Sequence, residues 1–176
     1  MRMIACYENF PELSIHEKTT FTFTLSNKKL QQRLMQVFLA LNQKTFTFEE
    51  IGTPTIPGCT IIFEVGIADS NSFTSIGENE VKRVLIALRK EPFAMMDFFC
   101  AIRYYKDYAS RKKPLRFDYY ITRFIFSEGM VELQVFHERG PRYFSPKDIV
   151  TFLTDRINEN SAKKILKKIE PQNTVE

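Results

Sequence analysis

The chain has 176 residues, 44% apolar and 26% charged, which suits one globular domain that needs neither disulfides nor a metal ion to fold. Its formal net charge of +4 is unevenly spread: residues 1–78 carry six basic and eight acidic side chains, whereas residues 79–176 carry nineteen and thirteen, which favours an acidic partner. Three scattered cysteines exclude a disulfide framework. The sequence shows neither a signal-peptide region nor an apolar run of ~20 residues, which predicts a cytoplasmic protein without a membrane partner.

The first part of the chain is predicted to hold three strands and one helix. Phenylalanine and leucine alternate with threonine over residues 19–25, which is the period of a half-buried strand. Ser26 or Asn27 then caps a helix whose apolar side chains repeat at helical spacing to about residue 43. The pattern further predicts a strand over 45–49, a loop rich in glycine and proline over 52–58, a strand over 59–67 and a polar, turn-rich stretch over 68–78.

Two helices are predicted in the middle of the chain. Asn79 can cap the first, which ends near Pro92 because proline lacks a backbone donor. Pro92 is also suited to begin the second, over residues 93–108. Apolar side chains occupy nearly every side of this second helix, so we expect it to be central or to cover a partner. Asp97, a lone charge within it, is expected to face water or to pair with an arginine.

A hairpin and two further helices complete the prediction. A basic turn at residues 110–114 leads into a strand over 115–126, a turn at 127–129 and a returning strand over 130–137. Ser145 and Pro146 are typical of a helix start. A last helix over 161–169, with four exposed lysines, and a flexible tail at 171–176 end the chain.

Strands that are segregated from helices indicate an α+β fold. We expect one domain over residues 1–170, with a mostly antiparallel sheet of about five strands packed against several helices.

No motif for catalysis or cofactor binding is present in the sequence. The six glycines are never closer than six positions, so they cannot form the clustered loops in which backbone N–H groups approach phosphates. Two histidines and three dispersed cysteines show no metal-ligand spacing. The sequence therefore predicts no cofactor, no metal and no assignable catalytic residue, and it leaves open whether the protein is an enzyme.

A basic stretch interleaved with tyrosines is the first candidate site. Between residues 103 and 123 there are seven basic and two acidic side chains. Lysine and arginine attract phosphates regardless of sequence, and exposed tyrosines can stack on unpaired bases. The alternative is a solvated turn with tyrosines half-buried over the core. The candidate nucleic-acid-binding residues are Arg103, Lys106, Arg111, Lys112, Lys113, Arg116 and Arg123.

The loop that follows the last predicted strand is the second candidate site. Arg139 and Arg142 could clamp a phosphate or carboxylate ahead of a capped helix, and His137 could transfer protons near neutral pH. The alternative is a solvated loop whose arginines pair with local acids. Asp148, at the start of the helix, argues against an anion there.

Three functional hypotheses follow from these patterns. The first is a small binding module that uses the basic stretch, with nucleic acid as its ligand. The second is a homodimeric interaction protein that buries the aromatic and methionine side chains of residues 93–108. The third is a small enzyme acting on an anionic metabolite at the loop of residues 137–142.

Overall fold

The computed structural model of the protein describes residues 4–52 and 57–170. The predicted tail at 171–176 and the centre of the predicted loop at 52–58 lie outside these ranges. The elements follow in the order β1 (Glu17–Thr22), α1 (Asn27–Leu41), β2 (Thr45–Thr47), a 3-10 turn (Phe48–Glu50), β3 (Cys59–Asp69), β4 (Ser72–Ser75), α2 (Glu78–Lys90), β5 (Met95–Tyr108), β6 (Arg111–Ser127), β7 (Met130–Arg139), α3 (Pro146–Asn158) and β8 (Lys167–Lys168).

All the strands belong to one antiparallel sheet. Its strand order is β2-β3-β5-β6-β7-β1-β8, and β4 pairs with the end of β3 beside this path. The three helices pack against the sheet. The prediction of an α+β fold with an antiparallel sheet is confirmed, although the described residues form eight strands rather than about five.

The helices begin where the sequence supplies capping side chains. Ser26 Oγ accepts a hydrogen bond from the backbone N–H of Lys29, at 3.2 Å, and starts α1. At α3, Ser145 Oγ accepts from the N–H of Asp148 at 3.0 Å, and the Asp148 carboxylate accepts from the N–H of Ser145 at 3.2 Å. These contacts satisfy N–H groups that have no partner inside the helix.

The sheet has two faces of different character. On the helix face, the phenylalanines of the helices pack on those of the strands: Phe38 of α1 stacks on Phe98 of β5 with ring centroids 3.9 Å apart, and Phe152 of α3 stacks on Phe63 of β3 at 5.1 Å. Successive residues of a strand point to opposite faces. The face opposite the helices, which we call the open face, therefore carries the intervening residues of β5, among them Asp97 and Phe99.

The predicted helix over residues 93–108 is wrong, because residues 95–108 form β5 at the centre of the sheet. Both faces of this strand are covered over much of its length, so apolar residues occupy consecutive positions and the period of two is lost. Met96 and Phe98 lie in the helix-face core, while Phe99 contacts the ring of Phe73 on the open face at 5.4 Å.

The predicted last helix over residues 161–169 is also wrong. The side chain of Asn158 accepts from the N–H of Leu166 at 2.8 Å and donates to the carbonyl of Leu166 at 3.1 Å, which holds this segment in an extended form. Lys167 and Lys168 then pair with β1 as β8. A short amphipathic pattern is a marginal helix in water, so these tertiary bonds decide its structure.

A buried ion pair ties the N-terminal segment, residues 4–12, to the open face. Arg123 Nε and Nη2 each lie 2.8 Å from one oxygen of the Asp97 carboxylate, and Nη1 lies 2.9 Å from Glu12 Oε1. The same carboxylate accepts from the N–H of Tyr7 at 2.7 Å, and the guanidinium stacks over the ring of Phe10 at 4.1 Å. The arginine partner expected for Asp97 is therefore Arg123, directly opposite it on β6.

Breaking this pair from one side is expected to be costly, because Asp97 is fully buried and Arg123 is only 3% exposed. Arg123→Met leaves a buried carboxylate without its counter-charge and should lower the free energy of unfolding by about 3–5 kcal/mol. Denaturant unfolding followed by circular dichroism measures the loss. Adding Asp97→Leu to this variant should recover part of it, because no charge is then left buried.

Arg103→Met is the matched control for this experiment. Arg103 pairs with Glu64 on the same face, but both side chains are more than a third exposed. This exposed pair should contribute at most about 1 kcal/mol. Equal losses in the two variants would show that the buried pair does not anchor the N-terminal segment.

Candidate functional site

The β5–β6 hairpin extends beyond the rest of the sheet. Pairing of β3 with β5 ends at Lys106, and pairing of β7 with β6 ends at Tyr119, so within the described structure residues 107–116 belong to no strand ladder other than that of β5 with β6. All of them are exposed. We call residues 106–116 the ribbon.

One face of the ribbon concentrates positive charge around a tyrosine. Lys106 lies directly opposite Lys113, and Tyr108 lies directly opposite Arg111. Opposed residues share a face of the ladder, and so do alternate residues of one strand. Lys106 Nζ accordingly lies 5.3 Å from the centroid of the Tyr108 ring, which is 50% exposed. Three cations therefore share one face of the ribbon with an accessible aromatic ring.

The single carboxylate of the ribbon lies on its other face. Asp107 is opposite Lys112, and its Oδ2 accepts a hydrogen bond from Thr60 Oγ1 at 3.0 Å. Among the described residues, no ion pair joins a ribbon cation to a carboxylate. The charge of the ribbon is thus directed to solvent.

The structure separates the seven predicted nucleic-acid-binding residues into two groups. Arg103 lies on the open face, with its Nε 2.9 Å from Glu64, and Arg123 is buried against Asp97, where its guanidinium cannot reach a ligand. The other five are brought together on the ribbon, and these are Lys106, Arg111, Lys112, Lys113 and Arg116.

Two of the tyrosines that were predicted to lie among the basic residues are also not at the surface. Tyr104 and Tyr120 are buried on the helix face, where their hydroxyl groups donate to Asp118 and to the carbonyl of Phe144. Burial, followed by the hydrogen bond to Asp118, raises the pKa of Tyr104 above its ordinary value. These two rings serve the core and cannot stack on a base.

Asp118, next to the base of the ribbon, organises the loop that follows β7. Its Oδ1 accepts from His137 Nε2 at 2.8 Å and from the N–H of Arg142 at 2.7 Å. Its Oδ2 accepts from the hydroxyl of Tyr104 at 2.6 Å and from the N–H of Tyr143 at 3.0 Å. Asp118 is fully buried, so these four donors stabilise a carboxylate that water does not reach.

The second predicted site is divided by a bulge in the pairing of β6 with β7. Arg139 lies opposite Tyr119, whereas His137 lies opposite Tyr120, so the two side chains belong to different faces of the sheet. Only His137 and Arg142 are brought together, through Asp118.

His16 is a residue of this region that the sequence did not single out as a ligand-binding group. Its ring stacks on Phe136, with centroids 4.8 Å apart, and its Nε2 lies 3.3 Å from Arg142 Nη2. Burial, and then the positive charge of Arg142, lower the pKa of His16 below its ordinary value. No local motif marks His16, because its partners come from β7 and from the loop after it.

Comparisons of the chain with protein-family models, with curated proteins and with solved structures give no match. In the described part of the chain, no helix is long and apolar enough to cross a membrane. Nor do the described residues include a group of three or more histidine, cysteine or acidic side chains placed to hold a metal ion. The cysteines are free thiols, and burial raises the pKa of Cys100 to about 12.

Gly140→Ala tests whether the loop depends on its close approach to β6. Gly140 has φ of 112°, and a Cβ there would collide with the carbonyl oxygen of Phe117 and with Asp118. We expect a loss of about 3 kcal/mol or more in the free energy of unfolding. Gly58→Ala is the control, because Gly58 also has positive φ, 67°, but has nothing within 4 Å of its Cβ position. The control should lose only about 1–2 kcal/mol; similar losses would contradict the tight packing of the loop on β6.

Proposed function

We propose that the protein binds nucleic acid through the ribbon. The observation that carries the proposal is the ribbon face that Lys106, Arg111 and Lys113 share with the exposed ring of Tyr108. Cations of this kind release counterions from a phosphate backbone, and an accessible aromatic ring offers a stacking surface for a base. The cytoplasmic location expected from the sequence is kept as part of this proposal.

The shape of the ribbon supports the same function. A two-stranded antiparallel ribbon is narrow enough to enter the major groove of a duplex, which is ~12 Å wide. In the described structure, residues 107–116 pair with no strand outside the hairpin, and all of them are exposed. Opposed cations on two paired strands can contact phosphates on both sides of such a groove.

The test is binding of labelled single- and double-stranded oligonucleotides by fluorescence anisotropy across a salt series. The variant Lys106→Gln/Arg111→Gln/Lys113→Gln should bind more weakly. Its slope of log affinity against log salt should be smaller by about three, one for each lost phosphate contact. Tyr108→Ala should weaken binding to the single strand by about 1–3 kcal/mol if its ring stacks on a base.

Lys163→Gln/Lys164→Gln/Lys167→Gln is the matched control, because it removes the same charge from exposed side chains in and beside β8. This variant should keep the affinity and the salt slope of the unmodified protein. Salt-insensitive binding, or equal losses in the two triple variants, would contradict a site on the ribbon.

Self-association through the open face is a second candidate function. Aromatic rings form a continuous row across this face: Tyr7 lies 4.7 Å from Phe73, Phe73 lies 5.4 Å from Phe99, Phe99 lies 5.0 Å from Tyr119, and Tyr119 lies 4.6 Å from Phe117. All five are only partly buried. Aromatic residues with few charges are typical of the centre of a protein interface.

We propose that a second copy of the chain covers this row. Arg103 and Glu64 lie side by side on the same face, so the charges there are self-complementary. A twofold axis between them would set Arg103 of each copy against Glu64 of the other, which is the requirement of an isologous interface.

Tyr119→Glu tests the second candidate by sedimentation velocity at micromolar concentration. The unmodified protein should sediment as a dimer, and the variant as a monomer, because it places a charge within the aromatic row. Ile86→Glu, at an apolar position on α2 that is 57% exposed, is the control and should stay dimeric. A monomeric unmodified protein would exclude the dimer.

A further inference from the structure

The ring of His16 takes the place of a backbone partner for β7. Its Nδ1 lies 2.9 Å from the backbone nitrogen of His137. A backbone N–H can only donate, so Nδ1 accepts this hydrogen bond and carries no proton. The opposite orientation of the ring would put a carbon atom there and leave the N–H of His137 without an acceptor. In the neutral ring, the single proton is therefore on Nε2.

That proton faces a second donor. His16 Nε2 lies 3.3 Å from Arg142 Nη2, and a guanidinium group has donors only. Two N–H groups therefore face each other, and the part of the chain that the structure describes supplies no acceptor for either. Within the described residues, no carboxylate forms an ion pair with Arg142.

Arg142 is held in this position by its backbone. It has a backbone φ of 59°, in the left-handed region that residues other than glycine rarely adopt. The Asp118 carboxylate stabilises this conformation by accepting from the N–H groups of Arg142 and of Tyr143, at 2.7 and 3.0 Å. An unfavourable backbone that a buried group maintains is common at binding sites.

We propose that His16 and Arg142 bind one phosphate-class oxyanion, whose oxygens accept from His16 Nε2–H and from the Arg142 guanidinium. A tetrahedral phosphate group has enough acceptors for both donors and for water. The buried Asp118 does not compete for the guanidinium, because its oxygens already accept four other hydrogen bonds.

This site is independent of the ribbon, and two sources could supply the anion: free phosphate, or a phosphodiester of nucleic acid. Besides burial, the positive charge of Arg142 lowers the pKa of His16, so a bound anion that offsets this charge should raise that pKa. Titrations with inorganic phosphate and with a dinucleotide separate the two sources.

The experiment is a long-range proton–nitrogen correlation spectrum of the histidine rings in the full chain, recorded during these titrations. The free protein should show His16 with its proton on Nε2. Inorganic phosphate should shift that resonance saturably and raise the pKa of His16. A response to phosphate alone or to both probes supports the site with free phosphate as a ligand, and a response to the dinucleotide alone supports it with nucleic acid as the source.

Arg142→Gln should weaken the response about tenfold or more, because it removes a charge-assisted hydrogen bond. Arg139→Gln is the matched control, since it removes the same charge from a residue opposite Tyr119 and should leave the response intact. The triple variant of the ribbon should respond like the unmodified protein. A proton on Nδ1, no saturable shift with either probe, or an unchanged response in Arg142→Gln would overturn the proposal.

Discussion

The antiparallel register of β5 with β6 sets Asp97 opposite Arg123 on the open face and brings Tyr104 to Asp118 on the helix face. A slip of one residue in either strand would reverse the direction of every side chain in it. Two buried carboxylates would then lose their partners, and an unpaired buried charge costs several kcal/mol. The charged pairs therefore select one register for the two longest strands. That register in turn fixes where the hairpin leaves the sheet and becomes the ribbon.

Much of the fold follows from local patterns in the sequence. Residues 59–67 and 130–137 show the alternation of strands, and both are strands with slightly longer bounds. The prediction failed where tertiary contacts replace that alternation. β5 is apolar on both faces because helices cover one and the N-terminal segment covers part of the other, so consecutive apolar residues resemble a buried helix. Its content of phenylalanine, tyrosine and isoleucine was the available signal for a strand.

The candidate sites were less accessible to sequence reasoning, because each depends on contacts between distant residues. Arg123 has the same local appearance as the ribbon cations, yet its partners Asp97 and Glu12 lie 26 and 111 positions away. The role of Asp118 likewise could not be inferred from the residues next to it in the sequence. A lone acid among aromatic residues in a strand does, however, indicate a buried partner. The tight turn at Gly140 was the only local sign that the loop approaches β6.

Ion pairs within the fold neutralise two of the arginines in the second part of the chain, so its basic excess remains on the other basic side chains. Arg123 is neutralised by Asp97 and Glu12 and Arg103 by Glu64, which leaves two groups of exposed cations on the sheet, the ribbon and the lysines near β8, besides the basic side chains of α2. Three strand spacings separate β6 from β8, about 14 Å across the sheet. This exceeds the Debye length of ~8 Å at physiological salt, so the two groups attract anions independently. For the proposed nucleic-acid ligand, which needs several cations at once, the ribbon offers them on opposed strands at the spacing of neighbouring side chains.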